Sequence, residues 1–248
     1  MYTYHAMYND TIAAISTPLG EGGIGIVRLS GPEAPKIAGG VFTGKLEDHR
    51  NVHGYVIDPG AHQPVDEVMA CYMAAPHTYT AEDVVEISCH GGPAPLQAVL
   101  ALVLERGARL ANPGEFTLRA FLNGRIDLAQ AESVLDIIRA KTQASLRMAV
   151  HGIEGNLSRA VKDVRAELMN VLAYLTARID FPEDEIEEQD IVPIIRGALD
   201  KLKTILAEAD QGIIYRQGVR TAIVGRRNVG KSSLLNRLVK PDPAIGRP

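Results

Sequence analysis

The sequence has too few cysteines and too small a charge imbalance for several classes of protein. Its two cysteines, Cys71 and Cys89, cannot form a disulfide framework, so both are predicted to be buried reduced thiols. No run of about 18 apolar residues occurs, and residues 1–14 lack the basic-then-apolar pattern of a signal peptide. A net charge of −4 excludes a general polyanion binder, so a nucleic acid would need a local basic patch. These absences predict a soluble cytoplasmic protein with no membrane partner.

The composition is that of a globular protein, with 46% hydrophobic residues, and the first region, 1–125, is punctuated by Gly and Pro. We interpret residues 1–6 as a loose leader. Residues 94–106 carry apolar side chains at helical spacing and predict a helix. These features predict an α+β domain. Four short β-branched runs predict its strands: Thr11–Ser16, Gly25–Leu29, Val68–Met73 and Val84–Ile87.

The second region, 126–217, has few glycines and predicts an all-α bundle. Asp127 and Gln130 resemble a capping box, which places a helix start there. The acidic stretch Asp180–Asp190 predicts a solvated connector between helices. Apolar residues at helical spacing predict three long helices in an incomplete bundle: Leu128 to Ile138, Val161 to Val171 and Leu199 to Leu206.

The third region, 218–248, contains a phosphate-binding loop. Val219–Val224 predicts a strand and Ser232–Val239 a helix, and between them Gly225–Ser232 matches G-x-x-x-x-G-K-[ST]. In such a loop, backbone N–H groups and the helix N-terminus hold phosphate oxygens. Lys231 would reach the β- and γ-phosphates, and the Ser232 hydroxyl would bind Mg²⁺. The predicted nucleotide-binding residues are Asn228, Val229, Gly230, Lys231, Ser232 and Ser233.

Only 16 residues follow Ser232, whereas a nucleotide domain of this type needs well over ~100. No switch threonine, Asp-x-x-Gly or Asn-Lys-x-Asp segment follows. We therefore expect a truncated start of an α/β P-loop domain, with weak or no nucleotide binding and no GTPase activity by this chain alone.

The order of motifs resembles that of the tRNA-modification GTPase family MnmE (TrmE). The most specific stretch is Arg119–Glu132. The others, in family order, are Asn9–Ala14, Gly22–Gly31, Tyr79–Glu86, His90–Pro93, Pro113–Thr117, Ile179–Pro182 and Gly225–Ser233.

The resemblance implies a folate-binding N-terminal domain that also forms a homodimer, and a GTPase domain inserted into a helical domain. It implies a tetrahydrofolate derivative (5-formyl- or 5,10-methylene-tetrahydrofolate), GTP, Mg²⁺ and K⁺ as cofactors. With a flavin-dependent partner subunit of the MnmG/GidA type, family members add an aminomethyl or carboxymethylaminomethyl group to carbon 5 of the wobble uridine of certain tRNAs.

By motif position, the resemblance assigns folate contacts to Arg28, Glu86 and Arg125. A guanidinium can bind a carboxylate in fork geometry, and a glutamate can accept paired N–H bonds from a pterin. The resemblance also makes Asn228 the K⁺ ligand and Ser232 the Mg²⁺ ligand. Two residues depart from the family pattern: Arg227 stands where relatives carry proline, and Arg125 where many carry lysine.

Two alternatives stay open at the level of sequence. The chain could act as a non-catalytic folate-binding and dimerisation module, which the missing switch segments favour. It could also be a different P-loop NTPase with an unrelated N-terminal domain, against which the folate-site motifs argue.

Overall fold

The computed structural model describes residues 9–183, 187–217, 221–226 and 229–238, with the backbone alone for 208–217. It divides into two units, the first ending at Asn170 and the second beginning at Val171. The predicted leader, residues 1–6, lies outside the described residues.

The first unit is built on a six-stranded sheet. The strand order is β3-β4-β5-β2-β1-β6, with β1 and β6 parallel and all other neighbours antiparallel. The strands are β1 (Ile12–Ile15), β2 (Gly22–Ser30), β3 (Arg50–Asp58), β4 (Gln63–Met73), β5 (Val84–Gly91) and β6 (Arg109–Leu110).

Helices α1 (Ala34–Gly39) and α2 (Pro93–Glu105) pack on the sheet and form the core with it. Successive side chains of a strand point to opposite faces, so alternate residues of β2 and β5 enter this core. Val27, Leu29 and Ile87 are fully buried there. The intervening residues, Arg28 and Glu86 among them, therefore face away from the helices.

The four predicted strands and the helix over 94–106 are confirmed as β1, β2, β4, β5 and α2. Strand β3 was not predicted, because His53 and Gly54 interrupt its apolar pattern. Gly54 suits that strand, since a Cβ there would lie 2.6 Å from the Phe42 ring. The prediction that both cysteines are buried is confirmed for Cys89 and wrong for Cys71. Cys89 is buried, but Cys71 is only partly buried, because it lies opposite Glu86 on the face of the sheet that points away from α1 and α2.

The helical region begins as predicted. Asp127 caps α4 (Leu128–Arg139) in a capping box, with Gln130 N–H 3.0 Å from Asp127 Oδ1. The three predicted helices are all present, but their number is too low, because the described residues of this region hold a fourth helix, α5 (Gln143–Ile153). The chain is extended at Ala140, and Thr142 starts a second capping box with Ser145, so a new helix begins there. Between α2 and α4 lies the short helix α3 (Glu115–Leu122).

The long helix α6 (Asn156–Asp180) runs from the first unit into the second, which also holds α7 (Val192–Gln217) and α8 (Lys231–Leu238). The predicted connector is confirmed for residues 181–183 and 187–190, which are exposed. Six large apolar side chains of α6 and α7 within the second unit are 38–75% exposed: Leu172, Leu175, Ile179, Val192, Leu199 and Leu206.

The strand predicted over Val219–Val224 is wrong for residues 221–224, which form no regular element. A strand needs a hydrogen-bonding neighbour, and every strand among the described residues belongs to the sheet of the first unit. The helix predicted from Ser232 is confirmed as α8, with Val239 outside the described residues. None of the helices in the described ranges combines the length and apolarity that a membrane span requires.

Candidate functional site

Arg28 and Glu86 are brought together by the register of the sheet. They are direct cross-strand partners on β2 and β5. Arg28 Nε and Nη2 both lie 2.7 Å from Glu86 Oε1, and each side chain is 27% exposed. A pair that is partly shielded from water in this way holds its geometry better than a fully exposed one.

Arg125 and Arg28 lie beside the same aromatic ring, that of Tyr79. The guanidinium carbon of Arg125 lies 5.0 Å from the ring centroid of Tyr79, and that of Arg28 lies 5.7 Å from the same centroid. Arg28 is also 5.7 Å from the ring centroid of Phe116. The structure therefore gathers all three predicted folate residues into one cluster, which we call the arginine cluster: Arg28, Glu86, Arg125, Tyr79 and Phe116.

Sequence reasoning assigned no role to Tyr79 or Phe116. Both lie in segments that carried the family resemblance, Tyr79–Glu86 and Pro113–Thr117, and that position is the signal that could have found them. Tyr79 is further held by a hydrogen bond of 2.9 Å between its hydroxyl and that of Thr117.

Beside the arginine cluster lies a buried ion network centred on Arg119, whose side chain is 1% exposed. Arg119 Nη2 lies 2.6 Å from Asp10 Oδ1, and its Nη1 lies 3.2 Å from Glu82 Oε2. Glu115 joins from the preceding turn of α3 and is shared with Arg109. The network ties α3 to β6, to the segment before β1 and to the loop before β5.

The two arginines also set the ionisation of the acids in this network. Burial alone would raise the pKa of Asp10, but hydrogen bonds from Arg109 and Arg119 outweigh it and lower that pKa. Burial likewise opposes ionisation of Glu115, yet hydrogen bonds from Arg109 and the Asn112 N–H hold its pKa below the usual value. Both carboxylates are therefore charged at neutral pH.

The loop that carries Tyr79 is fixed by its polar side chains. The hydroxyl of Ser30 lies 2.7 Å from that of Thr80 and donates to Glu82 Oε2 at 2.7 Å. Asn123 Nδ2 donates to the Thr80 carbonyl at 2.7 Å, which links this loop to the turn that carries Arg125. A framework of hydrogen bonds within the protein thus supports the arginine cluster.

The cluster suits an anionic ligand with a planar ring. Its two guanidinium groups and one carboxylate leave an excess of one positive charge, and the ring of Phe116 stands beside them. This donor set fits a folate, which has a flat pterin and an anionic tail.

In the phosphate-binding loop, Gly230 has φ +86, a left-handed conformation that favours glycine. Lys231 Nζ donates to the carbonyls of Gly225 at 3.0 Å and Arg226 at 2.6 Å. Val229, Ser232 and Ser233 are exposed. Asn228 and Arg227 lie outside the described residues. Nowhere in the described ranges do three or more His, Cys, Asp or Glu side chains group as metal ligands. The Mg²⁺ and K⁺ assignments stay predictions.

Two family models match the chain. Residues 11–125, which contain the arginine cluster, match the GTP-binding protein TrmE N-terminus, and residues 128–243 match the MnmE helical domain. The chain belongs to the MnmE (TrmE) family. The first match excludes the alternative in which an unrelated N-terminal domain precedes the P-loop.

Curated members of the MnmE family are similar over nearly the whole chain. The tRNA modification GTPase MnmE of Chloroflexus aurantiacus is 56% identical over 244 residues, which are 97% of this chain and 54% of that protein. The same-named protein of Roseiflexus castenholzii is 54% identical over 98% of this chain and 53% of its own length. The MnmE protein of Ligilactobacillus salivarius is 52% identical over 95% of this chain and 53% of its own length. The chain thus spans about half the length of the MnmE relatives that it matches.

Proposed function

We propose that the protein acts in GTP-dependent tRNA modification, with a tetrahydrofolate derivative bound at the arginine cluster. The observation that supports this most is the convergence of Arg28, Glu86 and Arg125, which come from two strands and a turn, on one half-buried patch. The relatives named tRNA modification GTPase MnmE supply the reaction class.

Within this proposal each charged side chain of the cluster has a chemical task. Both contacts from Arg28 fall on Glu86 Oε1, which leaves Oε2 to accept N–H groups from the pterin. Arg125 makes no ion pair within the described residues, so its charge is available to a ligand carboxylate. Each charge-assisted bond of this kind contributes about 1.5–3 kcal/mol.

The bound folate, as the 5-formyl or 5,10-methylene form, supplies the one-carbon unit. With a flavin-dependent partner subunit of the MnmG/GidA type, the product is an aminomethyl or carboxymethylaminomethyl group on carbon 5 of the wobble uridine. The protein would work in the cytoplasm as a homodimer through its N-terminal domain.

GTP would bind at Gly225–Ser232, with K⁺ held by Asn228 and Mg²⁺ by Ser232. Lys231 would exchange the carbonyls of Gly225 and Arg226 for the β- and γ-phosphates. The backbone N–H groups at the start of α8 would complete the phosphate site.

Calorimetric titration with 5-formyltetrahydrofolate tests the folate assignment. The unmodified chain is expected to bind saturably, and Arg28→Ala to weaken binding more than about tenfold, since Glu86 loses the charge-assisted bond that fixes its carboxylate. Arg50→Ala, which removes an exposed arginine of β3 outside the cluster, is the matched control. Loss of binding in that control as well, or equal binding by all three proteins with unchanged circular dichroism, would place the folate elsewhere.

A non-catalytic folate-binding module is the second candidate. It needs only the first unit, which by itself carries every residue of the arginine cluster. This chain alone is expected to bind nucleotide weakly or not at all, so a fluorescent GTP analogue is titrated into a protein that spans the full length of the MnmE relatives. A non-catalytic module would bind folate there and leave the analogue unbound.

A further inference from the structure

Two positively charged side chains of the arginine cluster share one aromatic ring. The guanidinium carbons of Arg28 and Arg125 lie 5.7 and 5.0 Å from the ring centroid of Tyr79. Glu86 neutralises Arg28 only. Arg125 makes no ion pair within the described residues, so a contact other than a salt bridge must hold its guanidinium there before an anion arrives.

We propose that Tyr79 is a positioning residue that keeps the two guanidinium groups in place for an anionic, folate-type ligand. This inference rests on the proposed function for the identity of the ligand. The electron-rich face of an aromatic ring attracts a nearby guanidinium, so the Tyr79 ring restrains both arginine side chains beside it.

The ring of Tyr79 is itself fixed at both ends. Its hydroxyl is bonded to that of Thr117 on α3 at 2.9 Å. On the backbone side it lies between Thr78 and Thr80, which are 7% and 0% exposed. Thr78 Oγ1 donates to the Glu82 carbonyl at 2.6 Å, which closes the loop. A ring held in this way acts as a rigid support, while an arginine side chain on its own has many rotamers.

The first test needs no ligand. Side-chain Nε–Hε signals of Arg28 and Arg125 are recorded by NMR in the full chain and assigned with Arg28→Lys and Arg125→Lys. The Arg125 signal is expected to be displaced by the ring current of Tyr79 and to return to the position of exposed arginines in Tyr79→Leu. The Arg28 signal should also move in that variant, but it should stay displaced because its Nε–H still donates to Glu86 and its guanidinium still lies beside Phe116. Tyr55→Leu, which removes a tyrosine of β3 outside the cluster, should leave them unchanged. Signals that coincide with those of exposed arginines in the unmodified chain would overturn the inference.

The second test is a mutant cycle on the affinity for 5-formyltetrahydrofolate. Tyr79→Leu is expected to weaken binding about tenfold, and Tyr79→Phe, which keeps the ring but loses Thr117, by about threefold. In an Arg28→Ala, Arg125→Ala background, Tyr79→Leu should cause no further loss. Continued loss there would show that the ring contacts the ligand directly and would contradict a positioning role.

The two proposals fail separately. If the unmodified chain does not bind the folate, the proposed function is wrong, and the ligand-free NMR signals still decide the role of Tyr79. If the chain binds and Tyr79→Leu binds equally well with its arginine signals unmoved, the function stands and the positioning role is wrong. Thr117→Val should match Tyr79→Phe, with no further loss in the double variant, because both remove the same hydrogen bond.

Discussion

At the scale of single residues, Glu86 is the acid on which the candidate site depends. It lies in a strand that is otherwise largely buried, where a carboxylate needs a partner, and Arg28 is that partner. Glu86→Gln keeps the shape of the side chain and removes its charge. We expect the affinity for 5-formyltetrahydrofolate, measured by calorimetry, to fall between about 10- and 100-fold, the equivalent of one charge-assisted bond.

The control for this prediction is Glu67→Gln, which removes an exposed glutamate of β4 that pairs with His53. Its affinity should equal that of the unmodified chain. Equal affinity of Glu86→Gln and the unmodified chain would mean that the carboxylate does not contact the ligand.

The two cysteines should differ in reactivity, because only thiolates react quickly with alkylating agents. Burial raises the pKa of Cys89 to about 12, and its side chain is 3% exposed. The pKa of Cys71 is raised by partial burial and by the nearby Glu86 charge, but its side chain is only partly buried. Peptide mass spectrometry after iodoacetamide at pH 8 should find Cys71 modified first and Cys89 only after unfolding. Equal rates in the folded chain would contradict this burial.

At the scale of elements, helix α4 depends on its N-cap. Asp127→Ala removes the acceptor for the Gln130 N–H, and such changes cost about 1 kcal/mol of stability. Asp127→Asn should recover most of it. Thermal unfolding followed by circular dichroism measures the difference, and Asp163→Ala, inside α6, is the control because alanine suits a helix interior.

The same cap gives a pH dependence. The pKa of Asp127 is lowered by hydrogen bonds from the Ser158 hydroxyl and the Gln130 N–H. A lowered pKa in the folded state contributes stability above the unfolded pKa and loses it as the pH falls through the folded value. The difference in stability between the unmodified chain and Asp127→Ala should therefore decrease below about pH 4. A difference that increased on acidification would exclude this cap as the cause.

At the scale of the first unit, the ion network around Arg119 joins segments that are distant in sequence. Asp10 and Glu115 both have pKa values below the usual range in the folded state, despite opposition from burial. Their ionisation therefore stabilises the fold above about pH 4, and this contribution is lost on acidification.

Glu115→Gln tests the network through the pH dependence of unfolding. The variant should be less stable at pH 7, by up to about 3–5 kcal/mol, because the buried Arg119 loses a charged partner. Its unfolding temperature should also fall less steeply between pH 6 and pH 3, where calorimetry can follow it. Glu105→Gln lies at the exposed end of α2, and its unfolding temperature should change with pH as that of the unmodified chain does. The same pH dependence for Glu115→Gln would contradict the network's role.

Local signals account for the elements that sequence predicted well. Alternating and β-branched runs identified β2 and β5, and the Asp127–Gln130 pair placed the start of α4. These features depend on residues within one turn or one strand, so they are visible without a partner. Two strand predictions were wrong in opposite directions: β3 was not predicted, and the strand predicted at 221–224 does not form. Both errors have one cause, because strand formation depends on a neighbouring strand that the local sequence does not specify.

The sequence by itself determined the family, the α+β and helical regions, the P-loop motif and the three candidate folate residues. Only the tertiary structure decided that Arg28 pairs with Glu86, that Tyr79 stands beside both arginines, and that Arg119 is the buried centre of an ion network. The physical reason is distance along the chain. Helix caps and phosphate loops are made within a few residues, whereas the arginine cluster exists only because sheet register and the turn after α3 bring remote side chains to one face.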